Sequence, residues 1–294
     1  FLTNELPDVE VSVSSDVCPE IREYERFTTT VVNAYIKPLM SNYLKKLDQK
    51  LLNSGFNCPL LLMTSGGTLT NISSACNNPV RLVESGPAGG AILATSIAED
   101  MNLSKVISFD MGGTTAKITI IENKKAIKAR EFEVDRKARF KKGSGYPLRI
   151  PVIEMVEIGA GGGSIARVNK LEQIITGPDS AGSFPGPACY SNGGSMPTIT
   201  DADLVIGKIN PDNFAGGKIK LSKQLADKAI TENIVKFVNI DTNIAALAIS
   251  EIVDETMSNA ARVHTVEQGH ETSNRTLIAF GGAAPLHIAR VAEK

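Results

Sequence analysis

The chain has 294 residues, a net charge of −1 and 42% apolar residues. That near-neutral balance, with no long block of like charge, gives nucleic acid no footing, and neither a signal-peptide pattern nor a membrane-length apolar run is present. The cysteines Cys18, Cys58, Cys76 and Cys189 are scattered without a C-x-x-C pair, so no zinc site is signalled and reduced thiols in a cytoplasmic protein are expected.

The length favours two lobes over one. Residues 1–17, with Val9, Val11 and Val13 alternating, read as an edge strand or the tail of a missing unit. From Pro19 the pattern turns helical. Ile21, Tyr24, Phe27, Val31, Val32, Tyr35 and Ile36 recur at helical spacing, Pro38 marks a boundary or kink, and the helix ends near Gly55. Pro59–Met63 is a short apolar run, a buried strand ending in the hydroxyl-bearing turn Thr64-Ser65-Gly66-Gly67-Thr68, and a loop is expected up to Pro79. Val80–Val83 reads as a short strand or turn. The stretch E-S-G-P-A-G-G at 84–90 opens an apolar helix to Met101. Its small residues serve either close packing or a helix N-terminus facing a ligand.

The stretch 106–121, V-I-S-F-D-M-G-G-T-T-A-K-I-T-I-I, reads as strand, tight turn, strand. Gly112 and Gly113 let backbone N–H groups approach a ligand, Thr114 and Thr115 add hydroxyls, and consecutive amides in such a turn can cup an anion. Asp110 stands where a carboxylate can hold Mg²⁺ beside bound phosphates. An ordinary glycine hairpin is the competing reading.

Beyond it, 122–150 reads as strands and a polar loop, in which the basic run Arg136–Lys142 is expected to be solvated. The β-rich segment 150–158 runs into E-I-G-A-G-G-G-S. Its glycines Gly161, Gly162 and Gly163 imply close backbone approach to a ligand or to another strand. The Gly- and Pro-rich segment 176–203 reads as a structured loop lining a cleft. Within it Cys189 is a weak candidate nucleophile; Asp201 and Asp203 are candidate metal ligands, though Asp201 serves equally well as a helix cap. Ser222 caps a helix to about Val235, and another runs from about Asn243 to Glu267. Thr276–Phe280 is a buried strand, followed by Gly281, Gly282 and Ala283 and a helix, a strand–glycine turn–helix unit suited to a nucleotide.

The order E-S-G-P-A-G-G with helix, F-D-M-G-G-T-T with strand and F-G-G-A-A-P with helix resembles the connecting helix, second phosphate loop and adenosine loop of the actin, sugar-kinase and heat-shock-chaperone ATPase fold. This is an α/β, ribonuclease-H-like fold of mixed sheets with helices. Over nearly its whole length the chain is similar to the hydantoinase A/5-oxoprolinase family. The likeness runs through P-E-I-R-E-Y-E-R at 19–26, D-M-G-G-T-T-A-K at 110–117 and G-S-G-Y-P-L at 143–148. It continues through E-I-G-A-G-G-G-S-I-A at 157–166, G-P-D-S-A-G-S-F-P-G-P-A-C-Y at 177–190, T-D-A-D-L-V-I-G at 200–207 and F-G-G-A-A-P-L-H at 280–287.

That resemblance implies an ATP-dependent amidohydrolase subunit. It would open cyclic imides or lactams of the N-methylhydantoin or 5-oxoproline class through a phosphorylated intermediate, with ATP and Mg²⁺ as cofactors and a B-type hydantoinase subunit as partner. The alternatives are the homologous subunit of an acetone or acetophenone carboxylase, and a nucleotide-responsive binding module without chemistry. Carried over by motif, Asp110 holds the Mg²⁺ shell, residues 112–115 bind phosphates, Gly281, Gly282 and Ala283 face adenosine or ribose, and Gly161–Gly163 approach the nucleotide. Lys117 stands where relatives have an acid, and Glu154 where aspartate is commoner. The expected division is 1–104 as the remainder of a first lobe with the connecting helix, and 105–294 as the second ATPase lobe. Only one D-x-G-G-T motif is present and the chain starts at Phe1, so a piece incomplete at both ends, inactive by itself, is expected.

Overall fold

In the computed structural model, residues 2–5, 9–135 and 143–294 are described; the basic run at 136–142 lies outside them. The chain forms two units, residues 1–104 with 121–154, and residues 105–120 with 155–294. The single expected cut at 104 therefore gives way to a division in which 121–154 returns to the first unit. The reason is bonding across the chain: the Arg149 amide donates to the Thr29 hydroxyl, the Ile153 amide to the Ser65 carbonyl and the Ser65 hydroxyl to the Pro151 carbonyl.

In the first unit, helix α1 spans Glu23–Asn53 and runs through Pro38. It starts later than Pro19 because Arg22 takes a φ of 82°, outside helical space. Glu23 and Glu25 in its first turn and Lys50 in its last complement the helix dipole. Its inward face is largely polar. The Asn33 amide donates to the Asn77 carbonyl and its oxygen accepts from the Val80 amide, while Ser41 donates to the Cys76 carbonyl. Val32 and Ile36 pack on a small core around Val80, Leu148 and Ile150. Tyr24, Phe27, Val31, Tyr35, Leu39 and Tyr43, at intervals of three or four residues, are exposed instead.

The expected N-terminal edge strand is absent among the described residues. Ser14–Val17 forms a helical turn, with the Asp16 and Val17 amides both bonded to the Val13 carbonyl. Strands β1 (Leu61–Met63) and β2 (Leu69–Asn71) pair antiparallel. The expected loop before Pro79 holds β2 and a short helix, Ile72–Asn77, capped by Asn71. Residues 79–82 form a 3₁₀ turn. Helix α2, Ser85–Asp100, buries Ala88, Ala91, Ala94 and Ala98 completely, so these alanines serve packing, whereas a β-carbon on Gly86 at its start would meet nothing within 4 Å.

The second unit is built on four strands: β3 (Lys105–Met111), β4 (Ala116–Glu122, leaving the unit after Ile120), β5 (Val156–Ile158) and β6 (Thr276–Phe280), in the order β5-β4-β3-β6. β6 runs parallel to β3, and β5 antiparallel to β4. β3 is buried on both faces, which is why it reads as a continuous apolar run. Helices α3 (Ile199–Val205), α4 (Lys223–Ile230), α5 (Thr242–Glu267) and α6 (Ala284–Glu293) enclose one core with Phe109, Ile118, Ile249, Val253 and Met257. Ser222 caps α4, which continues as a π-helical turn over 231–235, and Asp241 caps α5. The Gly- and Pro-rich segment is less irregular than expected: its first part is a strand, Ile174–Ser180, paired with Ser164–Val168.

Candidate functional site

β3 delivers Asp110 to the mouth of the 112–115 turn. The turn closes through the Gly112 amide and the Thr115 carbonyl at 3.2 Å. A β-carbon placed on Gly112 or Gly113 would meet nothing within 4 Å, so open space lies in front of this backbone. Among the described residues, no acceptor meets the amides of Gly113 and Thr114, and no donor meets the Asp110 carboxylate. Burial raises the Asp110 pKa above the ordinary carboxylate value, and the positive charge of Lys117 only partly offsets it. Lys117 itself lies 3.9 Å from Glu157 on the paired strand.

The second glycine corner stands beside the first. Phe280 on β6 is in register with Asp110 on β3. The Ala283 amide donates to the Met111 carbonyl at 3.0 Å. Gly281 has a φ of 92°, and a β-carbon there would lie 2.5 Å from the Met111 carbonyl oxygen and 2.7 Å from Asp110 Oδ1. Only glycine fits that contact. Gly282 is open, and α6 begins one residue after Ala283. Asp110, residues 112–115 and residues 281–283 thus converge.

Gly161–Gly163 join them in a different capacity from the expected approach to the nucleotide. Their amides are all used within the protein: Gly161 to Ser164 Oγ at 2.9 Å, Gly162 to the Gly112 carbonyl at 3.0 Å, Gly163 to the Gly113 carbonyl at 2.6 Å. A β-carbon on Gly161 would lie 2.5 Å from the backbone of Thr114. The Thr200 amide and hydroxyl, at the start of α3, both donate to the Gly162 carbonyl at 2.8 Å. The run is a brace that fixes the 112–115 turn, not a set of free donors.

Asp201 is a structural acceptor. It receives the amides of Ala188, Cys189 and Thr198 and the Thr198 hydroxyl, and it completes the capping box of α3. Cys189 is fully buried, and burial together with Asp201 drives its thiol pKa far up, which removes it as a nucleophile. Asp203 belongs to a buried cluster that sequence reasoning missed. His287 on α6 bonds Asp254 of α5 through Nδ1 at 2.7 Å and Asp203 of α3 through Nε2 at 3.0 Å, with all three side chains at most 2% exposed. Lys208 lies 3.7 Å from Asp203, and Ser250 bridges them. Burial pushes the His287 pKa down, but the bonds to the two carboxylates and their charges prevail and raise it to about 9, so the ring is an imidazolium. The available signal was its position: His287 shares a helical face with Ala284 and Val291, both buried, and a histidine on an apolar face needs partners.

The corner suits a magnesium nucleotide. Mg²⁺ keeps most of its waters and takes one or two carboxylates with substrate phosphates, so a lone unpaired Asp110 meets its demand, and no group of three metal-ligating side chains occurs among the described residues. The open amides of Gly113 and Thr114 and the Thr114 and Thr115 hydroxyls suit phosphate oxygens.

The hydantoinase/oxoprolinase family model matches residues 26–294. The chain belongs to the hydantoinase/oxoprolinase family. Caprolactamase subunit alpha of Pseudomonas jessenii is 35% identical over 289 residues, covering 98% of this chain and 40% of that subunit. The crystal structure of the ATP-dependent caprolactamase from that organism superposes with a TM-score of 0.78 at 34% identity, over 99% of this chain and 41% of the other. The nucleotide-free structure of acetone carboxylase gives a TM-score of 0.82 at 27% identity, over 95% and 38%. 5-Oxoprolinase 1 of Arabidopsis thaliana is 31% identical over 96% of this chain and 22% of its own length. The fold is thus the actin-like ATPase fold expected from the motif order, and the chain spans about two fifths or less of these family members. No helix among the described residues is long and apolar enough to cross a membrane.

Proposed function

We propose that this hydantoinase/oxoprolinase family chain is the nucleotide-binding part of an ATP-dependent enzyme that opens cyclic amides. The observation that carries this reading is the convergence of a half-buried, unpaired Asp110 with two glycine corners whose open backbone faces outward. In this reading Asp110 holds the Mg²⁺ shell, Gly112, Gly113, Thr114 and Thr115 take phosphates, and Gly281, Gly282 and Ala283 take the nucleoside. Gly161–Gly163 act through the turn they brace. A lactam carbonyl is a poor electrophile; ATP supplies the phosphoryl activation that lets water open the ring. This chain's residues orient the phosphates and hold charge in a partly dehydrated corner, where fixed donors act most strongly. Caprolactamase and 5-oxoprolinase among the relatives support a lactam, and the subunit status of the caprolactamase relative supports a second, B-type subunit.

The test is lactam-stimulated ATP hydrolysis by the full-length protein with its partner subunit. The expected result is turnover that falls roughly 10²- to 10³-fold in Asp110→Asn, the size of loss seen when one transition-state charge contact is removed. The second reading, a ketone carboxylase subunit, is favoured by the fold match to acetone carboxylase. Turnover that needs a ketone and bicarbonate in place of a lactam would select it.

A further inference from the structure

Helix α6 carries the nucleoside corner at its start, and its buried face is apolar, with Ala284 and Val291 packed inward. His287 interrupts that face one helical turn after Ala283. Both of its ring nitrogens are bonded, Nδ1 to Asp254 of α5 at 2.7 Å and Nε2 to Asp203 of α3 at 3.0 Å. A buried ion pair adds little stability over an apolar side chain of similar size. It has, however, a direction that apolar contact lacks, so it fixes the rotation and register of the helix that bears it.

The bond to Asp203 closes a circuit through both glycine corners. The Ala283 amide donates to the carbonyl of Met111, the residue before Gly112, at 3.0 Å. The Gly112 carbonyl accepts from the Gly162 amide, and the Gly162 carbonyl accepts from the amide and the hydroxyl of Thr200, each at 2.8 Å. Thr200 lies in the first turn of α3, and Asp203 stands one turn further along. From Asp203 Oδ2 the circuit returns through His287 to α6 and Ala283. Lys208 and Ser250 occupy the other oxygen of Asp203. Asp254 holds the same ring from α5, outside the circuit.

We propose that His287 is a positioning residue: through Asp203 it fixes the distance between the phosphate turn at 112–115 and the nucleoside corner at 281–283, so that one nucleotide engages both. The nucleotide part rests on the reading above; the tie between the corners rests on the bonds alone. A ligand that reaches one corner gains nothing from the tie. ATP, which spans both, gains the preorganisation.

The experiment compares Asp203→Ala with Asp254→Ala in the full-length protein, since each takes one carboxylate from His287. Isothermal titration calorimetry measures the binding of Mg·ATP and of Mg·tripolyphosphate, and amide hydrogen exchange without nucleotide reads the Ala283 bond. Asp203→Ala is expected to weaken Mg·ATP roughly 10- to 100-fold, the size of loss that a small misplacement of a bound group produces. It should leave Mg·tripolyphosphate within about two-fold and speed exchange at Ala283 about ten-fold. Asp254→Ala should be destabilised to a similar degree, yet change neither binding nor that exchange by more than about two-fold. Asp203→Asn, which keeps an acceptor oxygen in place, should recover most of the ATP affinity. Thr200→Val removes one of the two bonds to the Gly162 carbonyl; it should show the same pattern more weakly, and it stands in if the alanine variant does not fold. Equal losses of ATP affinity in the two alanine variants, a loss that tripolyphosphate shares in full, or unchanged exchange at Ala283 overturns the proposal. A wild type that binds neither ligand refutes the nucleotide reading, and exchange at Ala283 then still decides whether the bridge ties the corners.

Discussion

Four aspartates of the second unit show two opposite treatments of buried charge. Asp201 receives four hydrogen bonds from this chain, and Asp203 and Asp254 share the protonated ring of His287. Asp110 is also withdrawn from water, yet no donor of the described residues reaches its carboxylate. A carboxylate satisfied by its own fold contributes to stability. One left unsatisfied costs stability and remains available to a ligand. The same contrast divides the glycines: those at 161–163 are closed over by the backbone they brace, while 112, 113 and 282 face open space.

The largest effect should come from breaking the satisfied group. His287→Ala leaves two buried carboxylates facing each other, and chemical denaturation should show a loss of about 3–5 kcal/mol. The bridge also predicts a pH dependence. The folded-state pKa of His287, about 9, lies above its ordinary value of 6.5. Its stabilisation is therefore complete below pH 6.5 and is lost as pH rises through 9, on the order of 3 kcal/mol in all. Unfolding measured across that window should show the decline in the wild type and not in His287→Ala.

Next come the glycines. Gly161→Ala drives a β-carbon into the Thr114 backbone and should cost about 1–3 kcal/mol, whereas Gly112→Ala, with nothing within 4 Å, should stay within about 1 kcal/mol while weakening nucleotide binding. Equal stability losses at the two positions would erase the distinction between brace and cradle.

Much of this was legible in the sequence because it is local. β3 announces itself by an apolar run ending in an acid, and β6 by T-L-I-A-F before a glycine pair; their adjacency followed from the family likeness and is seen in the register of Phe280 with Asp110. The cap at Ser222 follows from side-chain chemistry at helix starts. What escaped depends on contacts distant in the chain. The glycines at 161–163 announce close approach, but only three-dimensional placement tells whether to ligand or to protein. Asp203, Asp254 and His287 are separated by 33 to 84 positions, and no spacing rule connects them. The helical period of Tyr24, Phe27 and Val31 identifies α1 but not which of its faces is covered. Alternation at Val9–Val13 was overridden by the local bonds that close the 14–17 turn.

The most direct measurement is thermal unfolding of the wild type and Asp110→Asn, each with and without Mg·ATP. Removing an unsatisfied, partly buried charge should leave the ligand-free Tm at neutral pH equal to or above that of the wild type, an advantage that disappears once acid protonates Asp110 in both folded and unfolded chains. Mg·ATP should raise the wild-type Tm and leave that of the variant nearly unmoved. A variant that loses stability without ligand, or one that Mg·ATP stabilises as much as it does the wild type, would contradict the assignment of Asp110 to the nucleotide.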